Sequence, residues 1–143
     1  RKDQGIVSIF LDLIRNNNRI AIQGSLNRFR DLIYIDDVVD SIILLVKDVS
    51  HPNEIYNVGT GKRTSIKKLA ELINRLTNSH QEIEYVPEGQ IFVKNRIAAT
   101  NNAKKDIGFS AKINLEEGLR ELITWRSEHK KEVDERRALA GLK

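Results

Sequence analysis

The 143-residue chain has no cysteine and no methionine, only two prolines, and an aromatic content of 6%. Without cysteine there is no disulfide scaffold, no cysteine-ligated zinc and no thiol nucleophile. No apolar run approaches the ~18 residues that a membrane-spanning helix needs. No signal-peptide pattern opens the chain, so the expected setting is cytoplasmic with no membrane partner. His51, His80 and His129 lie far apart and lack metal-ligand spacing. No Ser/His/Asp set and no pair of carboxylates at acid–base spacing stands out, so no complete active site is legible. The missing methionine carries a further expectation. A primary translation product begins with Met, and this chain begins Arg1-Lys2-Asp3, which reads as a processed start or a piece of a longer protein.

Apolar residues make up 40% and charged residues 31%, as in an ordinary globular domain, and the length suits one domain with a real core. The net charge of +4 is unevenly spread. Residues 1–30 hold Arg1, Lys2, Arg15, Arg19, Arg28 and Arg30 against Asp3 and Asp12, and the rest of the chain balances. A cluster that small suits a phosphate or another small anion better than a nucleic-acid stripe, although a merely solubilising surface reads the same way. Nucleic acid is not an expected partner.

Periodicity gives the elements. Ile6, Ile9, Phe10 and Leu13 predict a helix over 5–16, and Ile20-Ala21-Ile22 a short strand ended by Gly24-Ser25. Leu32–Ile35 reads as another strand, after which Asp36 or Asp37 is expected to cap a helix reaching about Lys47. From Val38 to Val46 seven of nine residues are apolar. A surface helix shows one apolar stripe, so this one is expected to be covered on most sides, by another body or by a central core. Ile55–Val58 reads as a strand. Thr64 or Ser65 then caps a helix through Leu76, with Lys67/Glu71 and Glu71/Arg75 as expected surface pairs. Glu82–Val86 alternates as a strand whose wet face carries His80, Glu82 and Glu84 opposite Ile83 and Tyr85. Residues 91–98 are expected to be extended. A short helix starts at Asn101 or Asn102 and stops at Gly108. Asn114 with Glu117 resembles a capping box for the last helix, whose buried side is Leu115, Leu119, Leu122 and Ile123. From Arg126 to Arg137 the only aliphatic residue is Val133, which predicts a solvated or frayed tail. The order is that of an α/β fold with a mixed sheet or small sheets.

Asp36, Asp37 and Asp40 could suggest a cation site, but their place at a helix start explains them by capping. Gly59-Thr60-Gly61-Lys62 fails as a phosphate-binding P-loop, because position 56 is Tyr and position 63 is Arg. It reads as a turn whose glycines permit positive φ. In the stretch from Gly24 to Val39 a basic loop leads into a strand and a capped helix. An Arg held on such an edge can present two N–H groups to one phosphate, or can pair with a neighbouring Asp.

Arg30-Asp31-Leu32-Ile33-Tyr34-Ile35-Asp36-Asp37-Val38-Val39 resembles the "RDFVYVDDVV" signature of nucleotide-sugar epimerases and dehydratases. These belong to the extended short-chain dehydrogenase/reductase superfamily and include the UDP-glucose 4-epimerase type. Gly5–Phe10 is similar to the family's "GVVSIF", and Ile55–Gly61 with Thr64–Ile66 to its "YNVGTG…TS". Gly108-Phe109, Leu115–Leu119 and Trp125-Arg126 are similar to "LGF…LEEGL…W". The resemblance implies a fold in which the chain, residues 1–143, is the C-terminal, nucleotide-sugar-binding half of a Rossmann-like enzyme. The N-terminal dinucleotide-binding half is absent. The helix at about 37–47 and the strand at about 55–58 would pack on that half. NAD or NADP would be bound by the absent half, and so would the Tyr-x-x-x-Lys pair: four residues after Tyr34, Tyr56 and Tyr85 stand Val, Thr and Gly.

By the same resemblance Arg30 matches the Arg that binds the substrate diphosphate. Gly5 and Ile6 match residues lining the cleft, Ala21, Ile22 and Gln23 match the strand beside the uracil, and Ile66 lies near the same base. Gln23 stands where relatives have an aromatic residue, and can offer an amide to the base instead of a stacking face. The family's second diphosphate Arg, in an "RxGD" element after a Pro, has no counterpart after Pro87, and Arg96 is its expected substitute. The resulting expectation is the non-catalytic, UDP-sugar-binding half of an NAD-dependent isomerase of carbohydrate metabolism. The alternatives are a 4,6-dehydratase or another extended reductase, or a stand-alone binding module. Alone, the chain is expected to expose the face that meets its other half and to self-associate.

Overall fold

The computed structural model describes residues 5–26, 28–47, 50, 53–86 and 95–139. The elements, in chain order, are α1 (Ile6–Arg15), β1 (Ile20–Gln23), β2 (Phe29–Arg30), α2 (Ile35–Lys47), β3 (Thr64–Ser65), α3 (Ile66–Leu76), β4 (Ile83–Val86), α4 (Asn101–Ile107), α5 (Leu115–Glu128) and α6 (Lys130–Leu139). The expected sheet is two separate pairs. β1 runs parallel to β4 with Ile20 opposite Ile83 and Gln23 opposite Val86, and β2 lies antiparallel to β3 with Phe29 opposite Ser65 and Arg30 opposite Thr64.

The main core is built where α1, α3 and α5 pack over β1. Its buried members are Phe10, Leu11, Ile20, Ile22, Ile66, Leu69, Ala70, Ile73 and Leu119. Local chemistry sets the helix ends. The Ser65 hydroxyl accepts from the Lys68 N–H at 3.1 Å, and the Asn114 side chain accepts from the Glu117 N–H at 3.0 Å, each satisfying an orphan donor of a first turn. Gly108 closes α4 at φ +69°, a left-handed conformation that costs glycine little. A second, smaller core joins Ala103, Ile107 and Phe109 to Leu44, Leu45, Tyr56 and Val58.

Several sequence expectations change. Leu32–Tyr34 forms no strand and Ile35 already opens α2, so neither Asp36 nor Asp37 is a cap preceding the helix. The Asp37 carboxylate, 2% exposed, instead accepts from the Lys112 and Ile113 N–H groups at 2.9 and 3.1 Å, and ties α2 to the turn before α5. Residues 55–58 pair with no strand among the described residues. Tyr85 shares the exposure of Glu82 and Glu84 rather than opposing it. Lys67 and Glu71 do pair, at 3.8 Å, but Arg75 turns to Glu116 on α5, which it meets with both terminal nitrogens. Residues 126–137 are not frayed. α6 docks by Val133, 8% exposed, and by a two-pronged Arg15–Asp134 pair at 2.6 and 2.7 Å, while Arg126 on α5 reaches Asp12 at 3.5 Å. Of the expected extended stretch 91–98, residues 91–94 lie outside the described residues, and Asn95 makes a parallel bridge to Phe29.

Helix α2 is turned inside out. Its polar Asp37 and Ser41 are buried, while Ile35, Val39, Ile42, Ile43 and Val46 are exposed. Those five recur at helical spacing and form one apolar stripe facing outward. Ile55 is 89% exposed. The expected cover on most sides is therefore not supplied by a central core among the described residues.

Candidate anion-binding site

The basic loop folds around the end of β1. Gly24 turns the chain at φ +74°, a left-handed conformation, and its N–H donates to the Val86 carbonyl at 2.8 Å. Arg28 closes the corner from the other side: its guanidinium donates to the Gln23 carbonyl and, through Nε, to the Ser25 carbonyl at 3.2 Å. The Arg28 carbonyl accepts the Ile66 N–H at 2.9 Å, so the start of α3 anchors the same loop.

β2 then carries Arg30 between two neighbours. Thr64 lies opposite it on β3, and on the other side the Arg96 N–H donates to the Phe29 carbonyl at 3.4 Å while the Asp31 N–H donates to the Arg96 carbonyl at 3.0 Å. This lacing sets Arg96 beside Arg30. Burial lowers the Arg30 pKa, and the positive charges of Arg28 and Arg96 lower it further. Three guanidiniums thus share one neighbourhood, an arrangement stabilised by an anion placed among them.

Asp31 serves a different end from the neighbouring-pair reading. Its carboxylate accepts from the Thr60 N–H at 3.0 Å, the Gly61 N–H at 2.9 Å, the Ala98 N–H at 3.2 Å and the Thr60 hydroxyl. Burial opposes its charge, but these four donors outweigh burial and hold the carboxyl below its ordinary value. The approach is close: a Cβ on Gly59 would stand 2.4 Å from the Ala98 Cβ and 2.7 Å from an Asp31 oxygen. A recess of about 250 Å³ lies here, lined by Asp31, Ile33, Val58, Gly59, Arg96, Ile97 and Ala98.

The candidate residues from the sequence are brought together only in part. Arg30 and Arg96 adjoin, and Gln23 joins them through Arg28. Ala21 shares with Gln23 the exposed face of β1. Ile22 and Ile66, each 1% exposed, are core residues and present nothing outward. Gly5 is exposed and Ile6 half-buried at the start of α1, and none of the contacts that build the arginine neighbourhood involves them. Arg28 was not among the candidates. Its signal was the two-residue spacing from Arg30 in an extended segment. Asp36, Asp37 and Asp40 form no metal-binding group among the described residues.

The model of the NAD dependent epimerase/dehydratase family matches residues 1–59. A UDP-glucuronate 4-epimerase of Thermodesulfobacterium geofontis is 32% identical over 121 residues, which are 84% of this chain and 37% of that enzyme. The human dTDP-D-glucose 4,6-dehydratase is 30% identical over 135 residues, 87% of this chain and 37% of the enzyme. The structure of the UDP-glucose 4-epimerase of Thermotoga maritima with UDP-glucose superposes with a TM-score of 0.74 at 33% identity, over 81% of this chain and 37% of that one. Residues 1–59 are thus similar to the NAD-dependent epimerase/dehydratase family, and most of the chain is similar to part of these enzymes. The chain spans well under half the length of these relatives, and its fold is an α/β part of theirs.

The family is NAD-dependent, and the glycine-rich turn at 59–61 does not fit a dinucleotide. The Gly59-Thr60-Gly61 turn has the composition to cradle a pyrophosphate, but the Thr60 and Gly61 N–H groups already bond Asp31. No tyrosine of the chain has a lysine four residues on.

Proposed function

We propose that the chain is the nucleotide-sugar-binding half of an epimerase of this family, with Arg30 and Arg96 holding the diphosphate of a UDP-sugar. The observation that carries this reading is the convergence of Arg28, Arg30 and Arg96 on one laced strand edge. In it, NAD and the residues that move hydride and proton belong to the rest of the enzyme. That other half covers the outward stripe of α2 and Ile55, and Gly5, Ala21 and Gln23 line the nucleotide side of the cleft. This chain alone binds but does not catalyse.

The test is Arg30→Ala in the full-length enzyme. Loss of a charged hydrogen bond, worth about 1.5–3 kcal/mol, raises KM about 10–100-fold with a smaller change in kcat. Unchanged kinetics would remove Arg30 from the site. A second reading, a 4,6-dehydratase, is favoured by the similar match to the human dehydratase. Product analysis separates the two, since an epimerase returns a sugar of the same mass and a dehydratase one that has lost water.

A further inference from the structure

A second basic surface adjoins the arginine neighbourhood on the far side of Thr64. The turn 60–64, the outer side of α3 and residues 111–116 enclose a groove of about 540 Å³, within the size range of small-molecule sites. Its apolar lining includes Leu32, Leu72, Ile113 and Leu115, and its rim carries Lys62, Arg63, Lys68, Arg75 and Lys112 against Glu71 and Glu116. Both carboxylates are already matched. Glu116 takes Arg75 and Arg120, each at 2.8 Å, and Glu71 takes Lys67. Lys112 is matched by Asp40 at 3.0 Å. Lys62 and Lys68 make no ion pair among the described residues. The Arg63 guanidinium rests over the Phe29 ring, 5.0 Å from its centroid, which holds its planar donors in place. The groove therefore presents three positive charges uncompensated by the acids that line it, beside an apolar surface.

We propose that this groove is a second anion site that takes a phosphorylated small molecule, its phosphates on Lys62, Arg63 and Lys68 and its apolar body on Leu72 and Leu115. Charge complementarity sets the ligand class: three cations match a group carrying two or more negative charges, and the planar Arg63 fork suits phosphate oxygens. None of Arg28, Arg30 and Arg96 lines the groove, so the inference stands apart from the reading of those residues.

The test is a titration of the full chain with inorganic pyrophosphate and with ADP, followed by backbone amide NMR. Saturable shifts at 62–68 and 112–116 are expected, with ADP binding more tightly than pyrophosphate because of its planar base. The double variant K62A/K68A weakens this binding at least tenfold and leaves the response of 28–31 unchanged. R30A does the reverse. Both lysine side chains are exposed, so the double variant keeps its amide dispersion. Four results would overturn the proposal: no effect of K62A/K68A; equal shifts from sulfate at the same ionic strength; loss of both responses in R30A, which would mean one continuous site; or saturation by an acidic peptide but not by pyrophosphate.

Discussion

Replacing Asp31 tests the local architecture at its most connected point. The carboxylate serves four donors, three of them backbone N–H groups from Thr60, Gly61 and Ala98. In Asp31→Ala the Thr60 hydroxyl and the exposed Gly61 N–H can turn to water, but the half-buried N–H groups of Thr60 and Ala98 face a gap. Each half-buried donor left without an acceptor costs about 1 kcal/mol, the low end of the range for unsatisfied groups, so the variant loses about 2 kcal/mol. Asp31→Asn keeps one acceptor oxygen but sets an amide N–H₂ against backbone donors, and loses about 2 kcal/mol. Against a typical total of about 5–15 kcal/mol, either change moves the urea midpoint clearly without altering the slope. The pH dependence has a definite sign. The native carboxyl lies below its ordinary value, so its contribution is complete above the ordinary carboxylate range and is lost as pH falls through the native value. The gap between the parent chain and Asp31→Asn should therefore close in acid. A loss below about 1 kcal/mol for Asp31→Ala, or a gap that widens in acid, would refute the reasoning.

Gly59→Ala forces a Cβ to within 2.4 Å of the Ala98 Cβ and 2.7 Å of Asp31, both held in place, and should cost about 2–3 kcal/mol in chemical denaturation; a neutral result would show that the two segments can separate. Glu116 is pushed down to about 2, first by hydrogen bonds from Arg75 and Arg120. Its contribution to stability is present above the unfolded value of 4.5 and fades as pH falls toward 2, and Arg75→Ala should bring its NMR titration midpoint back toward 4.5. Val39→Lys with Ile43→Lys breaks the outward stripe of α2, and light scattering should show self-association of the parent chain falling away in the double variant. A parent chain that stays monomeric at high concentration would contradict that.

What was legible in the sequence were the elements whose ends or faces are set by local chemistry. The boundaries of α3, α4 and α5 rest on Ser65, Gly108 and Asn114, whose roles depend on residues within a turn of themselves. The runs at 32–35 and 55–58 failed for the opposite reason. A short apolar run has no period to distinguish it, and a strand needs a partner. α6 was missed because little apolar surface holds it. Among its described residues only Val133 is buried, and the Arg15–Asp134 pair joins residues 119 positions apart. Arg75 illustrates the same limit: four residues from Glu71 it had a local partner, and the fold supplied Glu116 with two-pronged geometry instead.

The stretch from Arg30 to Val39 is where sequence and site meet, and its acids explain why its arginine stands out. Asp31 binds the N–H groups of 60, 61 and 98, and Asp37 those of 112 and 113. Each carboxylate thus closes a loop of the chain that no local rule could have named. Each is also spent by doing so. Carboxylate oxygens taken by backbone donors have less to offer a cation, while Asp36 in the same stretch stays exposed. Arg28, Arg30 and Arg96 gather beside Asp31, whose carboxylate is turned to residues 60, 61 and 98, and it is this excess of positive charge that the proposed anion site rests on.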